Sequence, residues 1–257
     1  MSPENYLGCI LREITNETLK CKAFKFDLPR GRALKARPGQ HLVLKLETEA
    51  ESFTRQFTIV LPPQQFDDER SKHEGATSTA TRFDVLIKLY EDGRASQLIG
   101  EWKVGQVALW RGPFGHFSYA RNSFKFLVVL AVGTGSIPMV PAVESVLSDG
   151  EDETRVDVLL GFRSRADFLL GERWRDIAAF WNVTLELFLS QSKAAVTKCS
   201  FAKAVHSGAR IGPEDILKRA KRSAETTYLV CGTTDFEKSS IASLRAFGVP
   251  AERIKKF

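Results

Sequence analysis

The alternation of apolar and polar positions divides the chain into two regimes. From about residue 6 to 120, short apolar runs of period two stand between Gly, Pro and polar turns. They include "HLVLKLE" (41–47), "FTRQFTIV" (53–60), "FDVLIKLY" (83–90) and "QVALWRG" (106–112). Such runs place every second side chain on one face, which predicts an antiparallel β-barrel or sandwich. Between them, 61–81 is rich in Asp, Glu, Ser and Thr with almost no apolar period. It reads as a mobile surface loop or insertion.

From about residue 124 strand and helix patterns alternate. "FKFLVVLAV" (124–132), "RVDVLLGF" (155–162), "VTLELFLS" (183–190) and "TYLVCG" (227–232) read as strands. Pro138 suits the first turn of a helix, where its missing N–H costs nothing. An amphipathic helix is predicted around 167–180. Another opens at Pro213-Glu214-Asp215, with acids on its positive end. A last one runs to about Phe247, with Gly248 as its stop. This alternation predicts a parallel α/β sheet covered on both faces. The boundary falls near 120–123, giving a barrel domain over 1–121 and an α/β domain over 122–257.

Composition adds limits. The chain has 257 residues, 43% hydrophobic, enough for two modest cores. Its net charge of +6 suits the steering of an acidic partner. The basic residues are spread along the chain, and neither zinc-finger spacing nor an RNA-binding aromatic signature occurs, so a nucleic-acid partner is not expected. The cysteines, Cys9, Cys21, Cys199 and Cys231, form no C-x-x-C pair. Reduced thiols, and no metal site, are expected. The N-terminus has no signal-peptide pattern, and the apolar stretch 126–143 is broken by Gly, Ser, Thr and Pro. A cytoplasmic protein without an integral membrane segment is expected, recruited to a membrane only through a partner.

Candidate chemistry lies at two turns. "VLAVGTGSIPM" (129–139) ends a strand in Gly133, Thr134 and Gly135, followed by Ser136, Ile137 and Pro138. "CGTTDF" (231–236) ends another in Cys231 and Gly232. In an open α/β sheet ligands bind beyond the carboxyl ends of strands, and a following helix N-terminus favours anions. Pro138 stands where the usual dinucleotide fingerprint has its third glycine. Each turn alone is no more than a strand-to-helix connection; together they favour a nucleotide site. In the first regime Arg55 can fork onto a pyrophosphate, and Phe57, two residues along on the same face, offers a flat ring. Gly93, Arg94, Ala95 and Ser96 precede an apolar segment as an anion site would.

The order of these elements resembles the ferredoxin–NADP reductase superfamily, and within it the NADH–cytochrome b5 reductases. Those carry R-x-Y-[ST], a G-x-x-S turn, G-P-x-G, G-G-T-G-I-x-P-M and C-G-P. The counterparts here lie at 55–58, 93–96, 112–115, 133–139 and 231–233, with "RPGQHL" (37–42) upstream. "WRGPFG" and "GTG-x-x-PMVP" are shared with the reductase-like branch. The resemblance runs from about Tyr6 to Phe257. It implies an FAD-binding barrel followed by an NADH-binding α/β domain, NADPH being the other candidate. It implies that Arg55, Gln56, Phe57 and Thr58, Leu86, Lys88 and Tyr90, and residues 93–96 bind FAD. Gly133, Thr134, Gly135, Ile137, Pro138, Gln191, Cys231 and Gly232 would bind the pyridine nucleotide, with Cys231 near the nicotinamide. Thr58 and His41 are the candidate proton relay from the flavin N5 position; the alternative for His41 is a buried histidine bonded to backbone.

The resemblance also implies a monomer that passes electrons to cytochrome b5 or another acidic redox protein. Two other readings stand beside it: a reductase for an iron–sulfur or other redox partner, and a non-catalytic flavin- or nucleotide-binding scaffold. The chain departs from the pattern at several positions. Phe57 replaces a tyrosine, Gln56 a proline, Ile137 a threonine and Thr233 a proline. Gln191, with Lys193 nearby, stands where NADH-specific members have an aspartate, and Arg163 and Arg165 follow the preceding strand.

Overall fold

The structure, a computed structural model, describes residues 1–2, 4–60, 78–115, 117, 119–192, 199–220 and 225–257. They form two compact units, Met1–Tyr119 and Ala120–Phe257.

Unit 1 contains β1 (Leu7–Thr18), β2 (Cys21–Asp27), β3 (Leu34–Ala36), β4 (His41–Glu47), β5 (Ser52–Thr58), β6 (Ser78–Ala80), β7 (Arg82–Lys88), helix α1 (Arg94–Gly100) and β8 (Val107–Phe114). Six strands form an antiparallel sheet in the order β5-β4-β8-β1-β2-β7. An isolated bridge, with Val60 N–H donating to the Asp84 carbonyl at 2.8 Å, joins the two ends of that order. The sheet thus rolls into the expected barrel. Alternation fills it: Leu42, Leu44 and Leu46 of β4 are all buried. Trp110 is at the centre, wholly buried, with the rings of Phe26, Phe83 and Phe57 at 5.2, 5.4 and 6.0 Å.

Unit 2 contains β9 (Phe126–Val132), α2 (Met139–Leu147), β10 (Arg155–Phe162), α3 (Gly171–Ala178), β11 (Val183–Leu189), β12 (Ala204–Ser207), α4 (Pro213–Ala220), β13 (Thr226–Cys231), α5 (Thr234–Ala246) and β14 (Ile254–Lys256). The sheet is parallel throughout, in the order β12-β11-β10-β9-β13-β14. It grows outward from β9 one way, then restarts on the other side with β13. Right-handed crossovers then place the helices of the two halves on opposite faces, so central strands such as β9 are apolar on both sides. Ile216 of α4 and Leu244 of α5 pack with Val128, Leu130, Tyr228 and Val230 on one face. Arg173 of α3 meets Glu144 of α2 in a largely buried ion pair, Nε to Oε1 at 2.8 Å. The stop at Gly248 takes Schellman form, with Gly248 N–H donating to Arg245 O and Val249 N–H to Leu244 O.

Three expectations need correction. The helix expected over 167–180 begins only at Gly171. Residues 165–167 form a 3-10 turn closed by a Ser164–Asp167 capping box, and Leu170 then turns left-handed, φ 54°, before α3 starts. Pro138, expected in the first turn of the next helix, stands instead at the N-cap of α2, one residue before its first turn, and a 3-10 turn, Gly133–Ser136, separates it from the strand. Of the loop expected over 61–81, residues 61–77 lie outside the described residues, whereas Ser78–Ala80 pair with β3. Among the described residues no helix is long and apolar enough to cross a membrane.

Trp110 fills the barrel centre, so Trp110→Ala should cost about 3–5 kcal/mol. A denaturant melt of the purified protein reads the loss.

Candidate functional site

In unit 1 the ladder sets the faces. Phe57 lies opposite Leu42, Arg55 opposite Leu44 and Phe53 opposite Leu46. Directly opposed residues in an antiparallel pair share a face, so Phe53, Arg55 and Phe57 point to the side of the buried leucines. Phe57 is half-buried and packs T-shaped with Trp110. Arg55 is exposed; its guanidinium lies over the Phe53 ring at 4.9 Å, and that of Arg94, from the start of α1, lies over the same ring at 4.5 Å. Glu51 forms an ion pair with Arg94. Arg55 and Arg94, 39 positions apart in the numbering of the chain, thus meet on one aromatic plate.

Gly93 caps α1 without a side-chain hydrogen bond. A helix start leaves its first N–H groups without intrahelical partners, and here these belong to Arg94, Ala95 and Ser96. A Cβ on Gly93 would lie 2.8 Å from the Ser96 Oγ. Leu86 is buried in the barrel wall. Lys88 and Tyr90 pair by a cation–π contact of 5.5 Å, and Tyr90 is exposed. The Tyr90 carbonyl accepts the Gly93 N–H at 3.0 Å.

The other face of β5 carries Thr58, opposite His41, while the exposed Gln56 lies opposite Val43. The His41 ring stacks on Phe114 at 6.0 Å. A Cβ on Gly115 would come 3.4 Å from His41 Nδ1. Burial holds the His41 imidazole below the ordinary histidine range, so the ring is neutral near pH 7. Gln40 secures this corner: its Oε1 accepts the Arg37 N–H at 2.8 Å and its Nε2 donates to Gly115 O at 2.7 Å.

In unit 2 the two glycine turns are brought together. β9 and β13 are neighbours, with Cys231 aligned to Ala131, so both turns leave the same edge at the point where the strand order reverses. A Cβ on Gly135 would lie 2.5 Å from the carbonyl carbon and oxygen of Cys231, and one on Gly232 would lie 2.3 Å from Val132 Cγ2. Only glycine permits this approach. Gly133, with φ +53°, has nothing within 4 Å of where a Cβ would stand, and so presents bare backbone. Ser136 Oγ donates back to Gly133 O at 2.8 Å, closing the turn. Thr134 is half-buried, while Ile137 and Pro138 are buried.

Cys231 is a free, half-buried thiol whose pKa is pushed up to about 12, by burial first and by Glu237 second, against Lys256 and a Gly232 hydrogen bond. It is therefore protonated at neutral pH. Thr233, in place of the expected proline, caps α5, its hydroxyl accepting the Phe236 N–H at 3.4 Å. Gln191 is exposed after β11, its N–H donating to Arg163 O at 2.8 Å, with Arg163 and Arg165 exposed beyond β10. Lys193 lies outside the described residues.

Two contributors were missed in the sequence. Phe53 joins the arginines; its place in the same alternation as Arg55 was the available signal. Glu237, in the first turn of α5, reaches back to the Gly232 N–H; an acid at a helix start is ordinary and pointed to nothing.

Comparisons with known proteins assign both units to known domain families. Residues 8–119 match the family described as the oxidoreductase FAD-binding domain, and 129–241 the oxidoreductase NAD-binding domain. The chain is 32% identical over 253 residues to the mouse (Mus musculus) protein named NADH-cytochrome b5 reductase-like, covering 97% of this chain and 75% of that protein. Its human (Homo sapiens) counterpart is 32% identical over 255 residues, with the same shares covered. The fold is that of the cytochrome b5 reductase domain of Ulva prolifera nitrate reductase, with TM-score 0.79, 21% identity, and 100% of this chain and 99% of that one covered. A ferredoxin NADP+ reductase from Neisseria gonorrhoeae, solved with FAD and NADP, gives TM-score 0.73 at 17% identity, with 98% of both chains covered. The chain therefore belongs to the NADH–cytochrome b5 reductase-like family and is an oxidoreductase built from an FAD-binding and an NAD-binding domain.

Proposed function

We propose that the protein is a monomeric reductase that takes hydride from NADH onto FAD and passes electrons one at a time to a haem-protein acceptor of the cytochrome b5 kind. The observation that carries this reading is the meeting of the two glycine turns, which leaves bare backbone at the switch point of a parallel sheet. The residues fit both cofactors. Arg55, Arg94 and the uncapped first turn of α1 offer the donor set a pyrophosphate needs. Gly133 offers the backbone approach that a pyridine nucleotide needs. Bound FAD supplies the step from two-electron to one-electron chemistry.

The chain's own residues then bind, orient and move protons. Arg55 and Arg94 would hold the pyrophosphate with the 93–96 turn, while Phe57, packed against Trp110, would supply an aromatic plate for the flavin. Lys88 and Tyr90 extend that wall, with Leu86 and Gln56 giving backbone. Gly133, Thr134, Gly135, Ile137 and Pro138 shape the nucleotide turn, and Cys231 with Gly232 receives the nicotinamide. Gln191 lies by the adenosine ribose; being uncharged, it repels a 2′-phosphate less than an aspartate would. Thr58 Oγ1 would take up the proton released on reoxidation while handing its own to the neutral ring of His41, its partner across the β4–β5 ladder. All four cysteines are free, which suits a reducing cytoplasm.

A basic run supports an acidic acceptor. Arg30, Arg32, Lys35 and Arg37 are exposed, and no Asp or Glu occurs over 28–46. Asp27, the carboxylate that precedes this run in the sequence, is already held by Arg12 and Arg82 at 2.7 and 2.8 Å. Gln40 ties the end of this run to Gly115, beside His41.

Three outcomes test the reading. The purified protein should show a flavin spectrum that bleaches without oxygen on adding NADH; a band that neither NADH nor NADPH bleaches would mark a flavin-binding scaffold instead. His41→Ala should slow reoxidation more than reduction. In the wild type, reoxidation should fall as pH drops through the lowered His41 pKa, because the ring is then already protonated; stopped-flow reoxidation across pH reads both. Changing Arg30, Arg32, Lys35 and Arg37 to Gln should cut kcat/KM for cytochrome b5 roughly tenfold at low salt and flatten its salt dependence. Steady-state assays over a salt series check it.

A further inference from the structure

The peptide between Cys231 and Gly232 is held from both sides. Its carbonyl packs against Gly135 of the first turn, where any Cβ would come within 2.5 Å. Its N–H donates to Glu237 Oε1 at 3.2 Å. The other carboxylate oxygen, Oε2, is 2.9 Å from Lys256 Nζ of β14. Glu237 is buried, and its own N–H donates to Thr233 O at 2.9 Å within the first turn of α5. Lys256 remains largely exposed. A buried carboxylate with no counter-charge would be costly, and Lys256 supplies one.

We propose that Glu237 is a positioning residue of the pyridine-nucleotide turn: anchored by Lys256 through one oxygen, it grips the Gly232 N–H with the other and fixes the peptide that receives the nicotinamide. This rests on the reading that the nucleotide lies on this turn. A glycine peptide rotates freely unless something holds it. Gly232 must be glycine to clear Val132, so its orientation has to come from outside. Gly135 limits the carbonyl end and Glu237 fixes the N–H end. Because Gly135 belongs to the first turn, the same grip keeps the two turns in register. The pair also sets the charge around Cys231, since Glu237 raises the thiol pKa and Lys256 lowers it.

The test uses the FAD-loaded full chain, NAD+ as probe, and iodoacetamide alkylation of Cys231 read by peptide mass spectrometry. In the wild type, saturating NAD+ should protect Cys231. Lack of protection there would overturn the placement of the nucleotide, and with it this proposal. Given protection, Glu237→Ala should raise the NAD+ concentration needed by about tenfold, the scale of one charge-assisted hydrogen bond. Glu237→Gln should restore most of it, because the amide oxygen still accepts the Gly232 N–H. Without nucleotide, Glu237→Gln should speed alkylation at fixed pH by removing a negative charge, while Lys256→Met should slow it by removing the opposing positive one. A turn that had merely loosened would speed both. Undiminished protection in Glu237→Ala, or the same sign from the Gln and Met variants, sinks the proposal. Should Glu237→Ala not fold, Lys256→Met, which removes the anchor, decides it: the NAD+ concentration needed for protection should rise, and an unchanged one sinks the proposal.

Discussion

The NAD-binding unit depends on one close approach, that of Gly135 to the Cys231–Gly232 peptide. No other residue type allows a backbone to lie against that carbonyl, since a Cβ at 135 would come within 2.5 Å of it. The parallel register of β9 and β13, with Ala131 aligned to Cys231, delivers the two turns to the same level. The reversal of strand order between them opens space beyond their carboxyl ends. Pro138 then becomes intelligible. In the usual fingerprint the third glycine packs helix against strand. Here the 3-10 turn Gly133–Ser136, closed by the Ser136 hydroxyl, displaces the helix start, and a buried proline is accommodated at its N-cap.

The FAD-binding unit rests on a different device, the strict alternation of β5 against β4. One face gives Phe53, Arg55 and Phe57, and the other gives Thr58 opposite His41. A one-residue slip would exchange the two sets and dissolve both the cation–aromatic cluster and the Thr58–His41 pair. Trp110 guards against that slip, because it anchors Phe57 to the barrel centre.

Much of this was legible in the sequence, for physical reasons. β4 and β10 match their apolar runs because alternation, or its absence in a doubly covered strand, is a local property. The glycine turns were legible because they interrupt such runs abruptly. β1, which is not among the runs picked out by alternation, slips in its ladder at Leu11/Glu13 and Asn16/Thr18, which interrupts a period of two. The join of Arg55 and Arg94 through Phe53 could not be read, since it is made by tertiary folding between segments with no shared local pattern. Nothing in the sequence gave the replacement of proline by Thr233 a role; the structure makes it the cap of α5.

The state of Cys231 bears on what its turn can do. A thiol with its pKa near 12 is almost wholly uncharged at neutral pH, so it reacts only slowly as a nucleophile and supplies no counter-ion. A pyridine nucleotide carries a cationic ring when oxidised and a neutral one when reduced. A thiolate against that ring would favour the oxidised form and oppose its release. Glu237 brings a negative charge to the same turn, but Lys256 offsets it at 2.9 Å. The turn therefore combines a firmly held peptide with almost no net charge at the sulfur. On the proposed placement of the nucleotide, that combination would suit a surface on which the reduced form binds and the oxidised form leaves, and the Glu237–Lys256 pair would then belong to the site's electrostatics as much as to its geometry.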